Sequence, residues 1–343
     1  MTSPLRLRLD AAALTYNWQT LAAMSGRAAC GAAVKADGYG LGATEVVTRL
    51  AAAGCRDFFV ATWAEAAALA PLGVPVSVLH GVRAEDMDVA KALVGVRPVL
   101  NSATQVARWR EAGGGLCDVM VDTGMNRLGV STEDIRSGLL DGLAIETLMS
   151  HLACADEDVA MNAAQRSAFM GITGRVTARR LSLANSAGIA LGADYAFDLT
   201  RPGLALYGGV PRGEFAGRIR QVAVPEAQIL QRRLLRAGDR IGYNATFTAP
   251  RDLPVAILNI GYADGYWRGF SGTGTAHAGD AVLPVIGRVS MDLIAVDISA
   301  AATLGEGDWV ALDYDLPVAA ARSGMSQYEL LTGLGRRFNR MWR

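Results

Sequence analysis

The chain has 343 residues, 51% of them hydrophobic, with 33 basic side chains against 33 acidic ones. That length supplies a large core and room for two domains, and the even charge offers neither the basic surplus of a nucleic-acid binder nor an acidic solvating tail. No apolar stretch reaches membrane-spanning length before a Gly, Arg or Asp breaks it, and Cys30, Cys55, Cys117 and Cys154 lack metal spacing and read as buried reduced thiols.

The opening "LRLRLD" alternates leucine with charge, so it reads as a strand rather than a signal peptide. This strand, residues 1–9, is expected to pair with the distant C-terminal part of the chain. From about residue 10 to 215, short apolar runs alternate with alanine-rich or amphipathic helical stretches. The runs begin with "GAAVKA", "DFFVATW", "VPVSVLHG" and "VRPVLN" and continue through "CDVMVDTG", "IETLMSHLA", "RRLSLAN" and "FDLTRPGLALYG". Runs buried on both faces and separated by helices imply a parallel sheet. Eight of them predict an α/β fold built on a (β/α)8 TIM-type barrel over 10–215. A doubly wound open sheet is the alternative, but no GxGxxG follows the first run.

Over 216–343 the texture changes to strands and turns, as in "AVLPVIGRVSMDLIAVDIS" and "GDWVALDYD", and predicts a β-rich C-terminal domain. A short helix, "SQYELLTGLGRRF", is expected to close the chain.

In a barrel, chemistry gathers at the C-terminal ends of the strands. Lys35, Asn101, His151, Asn185 and Arg201 fall at such ends. Lys35 stands out: one amine at the tip of an apolar run, followed by the glycine-studded turn "ADGYGLG". Desolvation pushes a lysine down from about 10.4 and makes it a nucleophile toward carbonyls. Spacing alone is equally satisfied by an exposed lysine paired with a carboxylate.

The context is more specific than the spacing. "VKADGYGLG", "VDTGMNRLGV", "SHLACAD", "LANSAG", "RPGLALYG", "IGYNATF", "GYADGY", "GRVSMD" and the tyrosine of "SQYELL" occur in this order along almost the whole chain. Together they resemble the alanine racemases, fold-type III pyridoxal-phosphate enzymes with a barrel and a β domain. The resemblance implies that Lys35 carries pyridoxal 5′-phosphate as a Schiff base. It implies that Tyr39, Ser186, Gly203, Leu204 and Tyr328 hold the phosphate, the backbone N–H groups of Gly203 and Leu204 near a helix start suited to anions. It sets Arg201 against the pyridine nitrogen. A guanidinium stays protonated there, which weakens the ring as an electron sink and favours racemisation over decarboxylation or transamination.

By the same resemblance, Lys35 is the base on one face of the substrate and Tyr243 the base on the other. A phenol is a weak base unless positive charge is near; His151 would hydrogen-bond the tyrosine and Arg201 would back the histidine. Arg127 and the Met291 N–H would bind the substrate carboxylate, and Tyr262 would line the entrance. The reaction is interconversion of L-alanine and D-alanine in the cytoplasm, supplying peptidoglycan. It needs no metal, nucleic acid or membrane. Two chains would share their sites, each lending Tyr243 and Met291 to the other's Lys35.

Three departures stand out. Met120 occupies the position where some members carry a carbamylated lysine, Ser182 stands where some have histidine, and Asn244 stands where glycine is common. A broad-specificity or serine racemase is the nearest alternative. A fold-type III decarboxylase and a non-catalytic pyridoxal-phosphate-binding barrel are more distant ones.

Overall fold

The computed structural model describes residues 3–343, so the first two positions of the expected 1–9 strand lie outside the described residues. The chain divides into two compact units: Leu14–Arg220, and Gln221–Arg343 together with the N-terminal residues through Ala13.

In the first unit, seven strands form one parallel sheet in chain order: Ala32–Ala33, Phe58–Val60, Val76–Val78, Val96–Leu100, Cys117–Met120, Ile145–Met149 and Ala178–Ser182. An eighth, Leu199–Thr200, pairs in parallel with Ala29–Cys30, just ahead of Ala32–Ala33. The Asp198 N–H donates to Leu181 O on its other flank, and the Arg201 N–H to Ala184 O. The ring is therefore closed by eight strands, as the alternation of apolar runs predicts. The first strand is interrupted at Gly31, where a Cβ would sit 2.8 Å from Asp57 O; only glycine allows that approach.

Phe59, Val99, Met120, Met149 and Leu199 pack together inside the barrel. Toward the N-terminal strand ends lies a polar layer. Buried Asp118 accepts from Ser77 Oγ at 2.6 Å and from the Thr147 N–H at 3.0 Å, and pairs with Arg97 at 3.5 Å. A buried carboxylate needs such partners. The barrel interior is thus a packed core, apolar in the middle and polar toward the N-terminal strand ends.

The second unit is built on a mostly antiparallel eight-stranded sheet. The long strand Ala223–Leu235 pairs along its length with Leu5–Leu9, Trp309–Leu312 and Leu253–Leu258. Leu5, Leu7 and Leu9 are buried and Arg6 and Arg8 face outward onto Glu226, the period of two of a half-buried strand. A second cluster under the sheet includes Leu235, Leu253, Val255 and Ile286.

The chain does not close on a helix. After Gln327–Thr332 it returns as a strand, Asn339–Trp342, parallel to Leu5–Leu9. A further helix, Leu316–Ser323, opens with Pro317 at its first turn, where a missing N–H costs nothing. All four cysteines are free; Cys154 is half-buried rather than buried, with its sulfur 3.8 Å from Met161 Sδ. Among the described residues no helix is long and apolar enough to cross a membrane.

Candidate active site

Lys35 follows the first barrel strand at the rim. Beyond it the backbone turns left-handed for five residues: φ is 54° at Ala36, Asp37 and Tyr39, 63° at Gly38 and 86° at Gly40. Three of these are not glycine, and each costs about 1–2 kcal/mol in that conformation. The turn is closed by Gly38 N–H to Val34 O and Gly40 N–H to Ala36 O, both 2.8 Å. Asp37 Oδ1 accepts the Ala43 N–H at 2.8 Å and starts the next helix.

The turn sends Tyr39 back into the protein. Its ring stacks on Tyr207 at 4.6 Å, and Tyr207 is fixed by donating to Ala33 O at 2.8 Å. The Tyr39 hydroxyl lies so close over Gly203 that a Cβ there would be 2.2 Å from it. Gly203 therefore serves close approach. Its φ is ordinary.

Ser186 joins the same corner. Its Oγ accepts the Gly203 N–H at 2.9 Å and the Ala205 N–H at 3.2 Å, which leaves the hydroxyl proton to give. Because the Gly203 N–H is already spent on Ser186, the backbone donor left is that of Leu204, which has no partner among the described residues. Asn185 Oδ1 accepts the Gly188 N–H at 2.9 Å as an N-cap. Cap and anion cradle thus coexist on one short turn.

The charges converge at this rim. Burial first, then the Arg127 guanidinium, pull the Lys35 amine below the usual lysine range; Glu65 opposes them. The His151 ring is enclosed although part of its residue stays accessible. Burial, then Arg201, Arg127 and Lys35, push it down to about 3, so it is a neutral imidazole. Burial lowers Arg201 to about 10, with Asp118 opposing, so it remains a cation at neutral pH.

Arg201 is 6% exposed and no carboxylate pairs with it among the described residues, which removes the simple reading of a rim salt bridge. Its Nη2 donates to Ser150 O at 2.6 Å and its Nη1 to Ser182 Oγ. The guanidinium is thus bonded to these groups and not to the His151 ring; it acts on that ring through charge. Ser182 takes the contact and passes its own proton to Leu199 O.

Arg127 is carried on the loop from Asp122 to Val130. That loop is pinned where Asp122 Oδ1 accepts the Gly124 and Asn126 N–H groups at 2.9 and 3.1 Å and Val130 N–H donates to Met120 O. Met120 itself is buried in the barrel cluster and offers Arg127 no polar group. Asn101 is buried too, its Nδ2 donating to Leu79 O and Val99 O at 2.9 and 2.7 Å.

The second unit carries the other expected residues on turns. Tyr243 opens a turn in which Asn244 (φ 63°) and Ala245 (φ 49°) are left-handed; asparagine tolerates that region best after glycine, which explains the departure at position 244. Tyr243 is 68% exposed and lines a cavity of about 390 Å³ with Arg288, Ser290 and Leu293. The turns bearing Tyr262 and Met291 are laced together: Tyr262 N–H donates to Ser290 O and Ala263 N–H to Met291 O, both 3.0 Å. Arg337 clamps them, forked onto buried Asp264 at 2.6 and 2.7 Å and reaching Asp292 at 2.7 Å. Tyr328 lies on the helix Gln327–Thr332, 45% exposed.

Within each unit, then, the structure gathers the expected residues: Lys35, Tyr39, Arg127, His151, Ser186, Arg201, Gly203 and Leu204 at the barrel rim, and Tyr262 beside Met291 in the other. Gln165 was not foreseen. It accepts the Ala153 N–H at 2.8 Å and donates to His151 O at 3.0 Å, so it fixes the turn that presents the histidine. Nothing in a helical "NAAQRSAF" distinguishes it; the signal would have been a glutamine fully buried on a barrel helix. No cluster that could hold a metal ion occurs among the described residues.

Comparison with known proteins agrees with this geometry. The family model described as alanine racemase, N-terminal domain, matches residues 9–211, and that described as alanine racemase, C-terminal domain, matches 222–342. The alanine racemase of Acidiphilium cryptum is 41% identical, over 98% of both chains. The catabolic and biosynthetic alanine racemases of Agrobacterium fabrum are 41% and 40% identical, over 98% and 99% of this chain and 91% and 94% of their own. The crystal structure of the Bartonella henselae alanine racemase with covalently bound pyridoxal phosphate superposes with a TM-score of 0.90 at 34% identity, covering all of both chains.

Proposed function

The chain belongs to the alanine racemase family, and from that premise we propose that it interconverts L-alanine and D-alanine with pyridoxal 5′-phosphate held covalently at Lys35, by a two-base mechanism. The rim residues fit that cofactor. Tyr39, Ser186 and Leu204 offer donors around a corner kept open by Gly203, which suits a phosphate. Arg201 would face the pyridine nitrogen. When bound, the cofactor supplies an electron sink conjugated to the substrate's Cα.

The remaining work falls to side chains. The desolvated Lys35 amine, held below its usual range, moves the Cα proton on one face. Tyr243 moves it on the other, and the neutral His151 accepts the phenol's hydrogen bond or releases it. The planar fork of Arg127 orients the substrate carboxylate, with the Met291 N–H as second donor. Tyr262 narrows the entrance and Tyr328 adds a donor to the phosphate. Arg201 would stay cationic where it faces the ring nitrogen. It thereby denies the ring nitrogen a carboxylate partner and keeps the proton returning to Cα. No step calls for a metal.

Tyr243 and Met291 are 68% and 54% exposed. We assign them to the Lys35 of a second copy, in a homodimer whose sites are shared. We also place the enzyme in the cytoplasm, where its free thiols stay reduced, and in supply of D-alanine for peptidoglycan. The observation that carries the reading is the conjunction of a desolvated lysine, a cationic buried arginine and an anion corner on one barrel rim. The test is racemisation of L-alanine followed by circular dichroism, with L-serine and L-lysine in parallel, plus borohydride fixation and mass mapping. Cofactor mass on the Lys35 peptide and turnover of alanine are expected; carbon dioxide release without D-alanine would overturn the assignment. Relief of a D-alanine requirement in a dependent strain tests the biosynthetic role.

A further inference from the structure

We propose that Glu65 is a positioning residue for Lys35: its carboxylate pins the backbone immediately after the lysine in the left-handed turn and provides the negative charge beside the lysine amine. This rests on Lys35 being the cofactor-bearing lysine.

Glu65 is the third residue of the helix Trp63–Leu69, which follows the second barrel strand. Its Oε2 accepts the Ala61 N–H at 2.7 Å and the Thr62 N–H at 3.1 Å, and Thr62 Oγ1 accepts the Glu65 N–H in return. That is a capping box, and a glutamate there needs no further explanation. The other oxygen does something a cap does not require. Oε1 crosses to the neighbouring strand's loop and accepts the Ala36 N–H at 2.7 Å.

Ala36 is the first of the left-handed residues, with φ 54°. Alanine has no intrinsic reason to be there, and strained backbone persists only where its surroundings over-determine it. The carboxylate of Glu65 is one such constraint, and it acts one bond from the residue whose side chain must be aimed. It is also itself fixed, by two bonds to its own turn. The first strand's strained turn is therefore tied to the cap of the second strand's helix.

The charges around Lys35 give the carboxylate a second effect. Arg127, on the loop after the fifth strand, acts on the amine through its charge, and Lys35, Arg127 and Arg201 act on the His151 ring after the sixth. Asp37, on the lysine's own turn, has an oxygen engaged by the Ala43 N–H. Glu65 is the group that favours the charged amine, against burial and Arg127.

The experiment uses the full-length enzyme. Cofactor is removed with hydroxylamine and reloaded from pyridoxal phosphate at a series of pH values. The rate at which borohydride-fixed mass appears on the Lys35 peptide is read. Glu65→Gln keeps the side chain's size but leaves one acceptor oxygen where Glu65 has two, so it removes the charge together with either the cap bonds or the Ala36 bond. It is expected to move the midpoint of that profile to lower pH by at least about half a unit, because the neutral amine then appears sooner. Glu65→Ala is expected to do the same and also to lower the plateau rate about tenfold. Glu65→Asp should restore the midpoint but not the plateau, since a carboxylate one methylene shorter does not span to Ala36. Thr62→Ala weakens the cap alone and should leave both at wild-type values. Wild-type midpoint and plateau in Glu65→Gln and Glu65→Ala would overturn the proposal, as would Thr62→Ala reproducing their effects. Cofactor mass remaining on the chain in Lys35→Ala would instead overturn the reading of Lys35 itself.

Discussion

Tyr39, Ser186 and Arg201 in the barrel are 5%, 2% and 6% exposed, whereas Tyr243, Met291 and Tyr328 in the β unit are 68%, 54% and 45% exposed. The barrel residues are interlocked with one another through Gly203, Ser182 and Ser150. Those of the β unit stand apart, Tyr243 on one turn, Met291 on a turn laced to that of Tyr262, and Tyr328 on a helix, all with exposed side chains. One unit thus holds its expected residues in buried, hydrogen-bonded positions and the other presents large apolar and aromatic groups that a soluble surface normally covers. Affinity for the cofactor should therefore be mainly a property of the barrel, with Tyr328 of the β unit adding one donor, and proton transfer on the second face a property of whatever brings the β unit's turns to it.

The largest effect that separates the two is at Lys35. Lys35→Ala should fold, lose the fixed cofactor and fall to background activity, whereas Tyr243→Phe should keep the cofactor and lose nearly all turnover. Borohydride mapping and racemisation assays on both variants check this. Co-expression of the two then breaks or sharpens the comparison. Random pairing makes about half the dimers hybrids, and one site in each hybrid is whole if the sites are shared, so about a quarter of all sites should work. Background activity in confirmed hybrids would assign both bases to a single chain.

Gly203→Ala probes the barrel alone. The added Cβ would meet the Tyr39 hydroxyl at 2.2 Å, and overpacking of this kind costs about 1–3 kcal/mol. Cofactor retention on gel filtration should weaken about ten- to hundredfold, with the β unit's fold unchanged.

How much of this could be read from the sequence follows the same division. The eight strands were legible because each carries its own apolar run and most are buried on both faces; Ala178–Ser182, with only Ser182 fully buried, is the exception. The rim residues were legible because motifs fix them on strand ends. The left-handed turn was not: Ala36 has no propensity for it and Asp37 a modest one, and the carboxylate that holds Ala36 lies beyond another strand. The closing strand "NRMW" was missed because, despite the glycines Gly333 and Gly335 before it, its four residues show no alternation, and it exists through pairing with Leu5–Leu9. In the Arg201 contacts, resemblance pointed to a histidine partner, while Ser182 and a backbone carbonyl supply the bonds. Long-range hydrogen bonding sets these details, and local pattern carries no trace of it.

Acid should separate the units further. His151 sits at about 3 in the fold against about 6.5 for an unfolded histidine, so the unfolded chain binds the extra proton between these values. Its contribution is intact above about pH 6.5 and is lost as pH falls toward 3, at no more than about 1.4 kcal/mol per pH unit. Chemical denaturation at pH 7 and pH 5 should show a smaller drop in His151→Gln than in wild type; an equal drop would mean the ring is not held neutral.

The smallest effect is expected where the β unit is least dependent on the barrel, at the Arg337 clamp. Arg337 forks onto Asp264 at 2.6 and 2.7 Å and reaches Asp292 at 2.7 Å, and Asp264 is 1% exposed. Lysine keeps the charge but has no planar fork, so Arg337→Lys can satisfy one carboxylate at a time. Losing one charge-assisted bond half exposed to water costs about 1 kcal/mol. The clamp joins the turns of Tyr262 and Met291, so the loosened groups are those assigned to the substrate rather than to the cofactor. The expected result is a few-fold rise in KM for alanine with kcat and cofactor retention at wild-type values. A fall in cofactor retention in Arg337→Lys would show that the β unit's turns also secure the cofactor, and the division of labour between the two units would have to be redrawn.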